Sequence, residues 1–141
     1  MSDEPNVPKA KARRLYREME KWQHRLRLCE YEVMWEVGDP DDRSGDCAAQ
    51  INVNQKYRKA VITVWEWGDA NGLEYCAKHE LLHLATAELR ELALELAETL
   101  APAEAEAMSD RIEMIDEQLV VRLCRAFDTL EHIGGEDDYY A

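Results

Sequence analysis

The residues best suited to chemistry lie in one seven-residue stretch, Lys78 to Leu84, which reads K-H-E-L-L-H-L. His79 and His83 are four residues apart, and Glu80 directly follows the first histidine. On a helix that spacing stacks two imidazoles one turn apart on the same face, where both reach one metal ion. A zinc ion held by two neutral imidazoles and a third protein ligand keeps a position open for water, and a neighbouring carboxylate can take that water's proton as it attacks a carbonyl. H-E-x-x-H is the spacing that such hydrolysis uses, with Glu80 as general base. The competing reading is a plain polar stripe on an Ala-, Glu- and Leu-rich helix. Against it stands the scarcity of histidine, of which the whole chain has only four.

Two histidines do not complete a metal site, and a third ligand is expected from another element. The segment I-E-M-I-D-E-Q-L-V-V-R-L, residues 112–123, offers Glu113, Asp116 and Glu117 on or beside an apolar helical face. Carboxylates there are costly to bury unless paired or metal-bound. At about 100° per residue, Asp116 points into the middle of that face, Glu113 lies toward its edge and Glu117 further round. Cys76, three residues before His79 on the same helical side, is a further donor within reach of a metal. His24, among charged neighbours, reads as a surface residue, and nothing in the sequence places His132, Tyr139 or Tyr140 at the site.

The elements that must position these groups are legible from hydrophobic period. Leu15, Met19, Trp22 and Leu26 recur at helical spacing and predict a helix from Lys9 to Leu28. Tyr31, Val33, Trp35 and Val37 then alternate with Glu32, Met34 and Glu36, the pattern of a half-buried strand. The turn-rich run G-D-P-D-D-R-S-G-D, residues 38–46, ends it and lacks the closing Glu of a calcium loop. Residues 47–54 and 60–67 alternate again, and their short polar link predicts an antiparallel hairpin. A helix over 73–100 carries the histidines. Pro102 separates it from a last helix that reaches Ile133, where Gly134 and Gly135 are expected to stop it.

With 141 residues the chain fits a single domain over 9–133, with tails at 1–8 and 134–141. Apolar residues at 46% and charged ones at 33% place it among globular proteins. A net charge of −13 argues against nucleic-acid or anionic-membrane binding. Eight of the 17 basic residues sit between Lys9 and Arg27, and are expected to be the solvated face of the first helix near acidic helices of its own domain. The four cysteines form no C-x-x-C pair and read as free thiols. No signal-peptide core or membrane span is apparent, so the expected location is cytoplasmic.

A helix, a three-stranded sheet, the H-E-L-L-H helix and a closing helix with E-Q-L-V-V-R-L together resemble the minimal fold of the zincin metallopeptidases. The likeness is to the gluzincin branch, and within it to the small single-domain proteins found in phages and prophages. It covers about residues 10 to 130. The resemblance implies an α+β fold of N-terminal helix, three-stranded sheet, active-site helix and C-terminal helix. It implies zinc as cofactor, His79 and His83 as ligands, Glu80 as general base and Glu117 as third ligand, with Asp116 orienting a histidine. The implied activity is hydrolysis of a peptide bond in a protein partner, which could add as a strand along a sheet edge. The alternative is a non-catalytic zinc-containing or acidic binding protein, an inhibitor or adaptor.

Overall fold

The computed structural model describes the backbone of residues 9–39, 41, 48–67 and 70–136, and the side chains of these except 70, 71 and 132–136. The expected tail at 1–8, residues 137–141 of the expected tail at 134–141, most of the 38–46 turn, Cys47, Tyr139 and Tyr140, and the side chain of His132 lie outside those residues. The architecture is α+β. In chain order it runs α1 (Lys9–Arg25), β1 (Glu32–Val37), β2 (Ala49–Asn54), β3 (Lys59–Val64), α2 (Ala70–Ala97) and α3 (Pro102–Glu136). The described chain divides into two compact units that meet in sequence between Ala85 and Thr86, with α2 running through both. No helix among the described residues is long and apolar enough to cross a membrane.

In the first unit α1 stops at Arg25, three residues short of the expected end. The reason is a local turn: Arg27 takes a left-handed φ of 58°, its N–H donates to the His24 carbonyl, and the Leu28 N–H donates to the Gln23 carbonyl. These are the two bonds of a Schellman C-cap, here built on arginine rather than glycine. Leu28 is buried as the hydrophobic residue that follows such a cap, which is why helical period alone carried the helix through it. The Gln23 side chain then donates to the carbonyls of Leu28 and Tyr31 at 3.0 and 2.6 Å and holds the chain's exit toward β1.

The sheet has the order β1-β3-β2. β2 and β3 form the expected antiparallel hairpin, with Ile51 opposite Ile62. β1 pairs parallel to β3, Glu32 opposite Lys59 through Val37 opposite Val64. The central strand is accordingly the buried one: Ala60, Ile62, Thr63 and Val64 are all inside, whereas β1 and β2 alternate between exposed and half-buried residues. Thr63 is satisfied by donating to Glu36 at 2.8 Å. Leu15, Met19 and Trp22 from α1 and Leu73, Ala77 and Leu81 from α2 are the other large contributors to this core.

Two features fix the unit's edges. Glu18 is buried on α1 and is flanked by Lys21 at 2.6 Å and Arg14 at 3.4 Å, while Lys21 also reaches Glu74 of α2 at 3.2 Å. Part of the basic face of α1 is thus engaged by acids of its own unit. At the far end of β1, Gly38 donates to the Val64 carbonyl and lies so close to the Trp65 indole that a Cβ there would overlap the ring. That indole donates to the Asp39 carbonyl, and the backbone N–H groups of Trp65 and Glu66 both donate to the Ala48 carbonyl.

The second unit is a helical hairpin made of the last part of α2 and all of α3. α2 ends at Ala97 rather than Leu100 because the chain tightens there: Thr99 and Leu100 donate to the carbonyls three residues back, and the Thr99 hydroxyl also caps the Leu96 carbonyl. Pro102 opens α3, where its missing N–H costs nothing. The four-residue connection makes the two helices antiparallel. Asp116, buried, accepts a hydrogen bond from the Thr86 hydroxyl at 2.6 Å and lies 4.0 Å from Arg90. Contrary to expectation, α3 runs through Gly134 and Gly135 to Glu136. Glycine lowers helix stability by about 1 kcal/mol but does not forbid the helix.

Candidate metal centre

α2 presents the two histidines as their spacing requires. His79 and His83 bring their Nε2 atoms to 3.2 Å, with the rings edge to face and centroids 4.9 Å apart. Two nitrogens bound to one tetrahedral zinc at about 2.0–2.1 Å are separated by about 3.3 Å, so the pair stands at the separation a shared ion needs. Both rings are half-buried. Among the described residues His79, His83 and Glu117 form a group that could hold a metal ion, each offering one ligand atom, all within 4.8 Å of one another. Two imidazole nitrogens and one carboxylate oxygen are the donor set of a zinc site that leaves a fourth position open.

Of the three carboxylates on α3, Glu117 is the one in that group. Glu113 and Glu117 are both exposed, and Asp116 is engaged by Thr86 and Arg90. Cys76 does not belong to the group. Its thiol is pushed up from 9.0 to about 12 by burial and by the negative charge of Glu80, which keeps it protonated at neutral pH and a poor nucleophile.

Beside the histidines, in the first unit, lies a groove of about 430 Å³ walled by Ala48 and Ala49 at the start of β2, by Glu66, and by Gly72, Tyr75, Cys76, His79 and Glu80. Glu80 is buried at this wall, one position from His79. Among the described residues β2 is an edge strand of the sheet, and its first residue, Ala49, is part of the groove wall. Tyr75 was not marked by any motif. It sits one turn before His79, ring centroid 5.5 Å from the imidazole, and the i, i+4 spacing alone could have found it. His24, on α1, is exposed and meets Cys29 at 3.5 Å, away from these residues in sequence and in the described contacts. Cys29, Cys76 and Cys124 are free thiols.

Comparison with protein-family models, with curated proteins and with solved structures gives no match.

Proposed function

We propose that the chain is a zinc-dependent metallopeptidase of the zincin type, acting on a peptide bond in a protein partner. The observation that carries the reading is the convergence of the two imidazole nitrogens at 3.2 Å with Glu80 between them in sequence and a carboxylate, Glu117, as third donor. His79, His83 and Glu117 would hold the ion. Zinc there supplies a Lewis acid that polarises a carbonyl and makes water acidic near neutral pH. Glu80, buried at the wall of the groove, takes the proton from the attacking water and returns it to the leaving nitrogen. The groove at the start of β2 accepts the substrate as an extended segment, its side chains meeting Tyr75 and Glu66. Free thiols in the described chain fit a reducing, cytoplasmic setting.

The test separates metal binding from turnover. Zinc titrated by calorimetry into metal-free protein is expected to bind one ion per chain, and His83→Ala to abolish it. Glu80→Gln should keep the ion and lose cleavage of a peptide library by at least about a hundredfold. Loss of zinc in Glu80→Gln means that Glu80 is a ligand and the assignment of roles is wrong. Zinc bound by both proteins with cleavage by neither leaves the non-catalytic binding protein as the reading.

A further inference from the structure

The second unit wears its large apolar side chains on the outside. On α2, Leu89, Leu92 and Leu96 are 72%, 54% and 62% exposed; on α3, Met108, Ile115 and Leu119 are 42%, 49% and 39% exposed. They form two stripes, with Leu130 close to the second and Met114, 54% exposed, about 120° round from it. At about 100° per residue the three leucines of α2 fall within about 60° of one another, and the three α3 residues within about 40°. The bonds from Thr86 and Arg90 to Asp116 mark the sides on which the helices meet. Measured from those sides, both stripes are displaced in the same residue sense, by about 100° on α2 and about 80° on α3. Because the helices are antiparallel, equal residue sense means the same face of the hairpin. The spacings 89, 92, 96 and 108, 115, 119 also fit the three- and four-residue steps of a heptad seam.

We infer that this face seats a second copy of the same chain, two hairpins closing into a four-helix bundle. The exposed apolar surface is on the order of 500 Å², at the upper end of what a monomer leaves in one patch. It is about two thirds of the roughly 800 Å² per partner in a standard interface. The charge on the two flanks says which partner fits. Outside the α2 stripe run Glu88, Glu91 and Glu95; outside the α3 stripe run Arg111, Gln118 and Arg122, with Glu104 the one acid there. Among the described residues Glu91, Glu95, Arg111 and Arg122 form no ion pair within the chain. A two-fold axis along the helices lays α2 of each copy over α3 of the other, acidic flank against basic flank, twice. An acidic partner would be repelled along α2 and a basic one along α3, whereas the chain itself satisfies both.

The experiment is sedimentation equilibrium of the full chain from low to high micromolar concentration. The expected mass is twice 16.3 kDa, falling to a single chain on dilution. Leu89→Glu with Leu96→Glu should weaken association by more than about a hundredfold while circular dichroism shows unchanged helix. A charge exchange tests the arrangement. Glu91→Arg with Glu95→Arg, and separately Arg111→Glu with Arg122→Glu, should each lose self-association, and the two proteins mixed should recover a mixed dimer. A wild-type protein that stays a single chain throughout, or a dimer indifferent to the leucine pair, overturns the proposal. Failure of the mixed dimer with the leucine effect intact overturns the α2-over-α3 arrangement.

Discussion

The two units solve the problem of apolar burial in opposite ways. In the first, residues 9–85, Leu15, Trp22, Ile62, Val64, Leu73 and Leu81 are all essentially inaccessible, and the buried acid Glu18 has cations on two sides. In the second, residues 86–136, the fully buried positions are small or mid-sized, Ala87, Ala97, Val120 and Cys124, while leucines and methionines face outward. A core of large side chains stabilises a unit by itself; a hairpin with alanine inside and leucine outside reserves part of its hydrophobic contribution for contact with something else.

That contrast is open to breaking by substitution. Trp22→Ala should give the largest loss, about 3–5 kcal/mol in urea unfolding, since it empties the centre of the first unit and removes the ring over which Arg25 and Lys78 lie. A loss below about 1 kcal/mol would mean that the first unit is far less tightly packed than its burial implies. Glu18→Ala should cost about 1–3 kcal/mol, because Lys21 and Arg14 lose their nearest acid; the deficit should shrink in high salt, since both cations are partly exposed. Asp116→Ala, in the second unit, should cost about 1–2 kcal/mol and speed hydrogen exchange in α3, as Thr86 loses its acceptor. Leu92→Ala should have the smallest effect, within about 0.5 kcal/mol for the dilute single chain. Its cost should grow with protein concentration, and this concentration dependence is what most sharpens the difference between the units.

The order of elements was legible because each change of period is physical: the apolar stripe of α1 repeats every three to four residues, and the alternation from Glu32 onward repeats every two. The β2–β3 hairpin followed from its short link. The parallel pairing of β1 did not, since alternation fixes which face a residue takes and not which neighbour its backbone meets. Leu28 and Gly134 misled for opposite reasons. A hydrophobic residue after a left-handed cap mimics one more helical turn, and a glycine that usually ends helices was carried through one. At the site, the i, i+4 histidines were readable at once. The choice among Glu113, Asp116 and Glu117 was open to angular reasoning because what engages Asp116 is a hydroxyl 30 residues away, Thr86, which no local period reveals.

The close approach at Gly38 has a consequence for how the groove can change over generations. Any side chain at that position displaces the Trp65 indole. The backbone of Trp65 and Glu66 holds Ala48, and Ala48 and Glu66 are two walls of the groove. A single codon, remote in sequence from the histidines, therefore acts as a tuning screw on the shape of the groove. Drift at Gly38 would change the shape of that groove while His79 and Glu80 in its wall stayed constant.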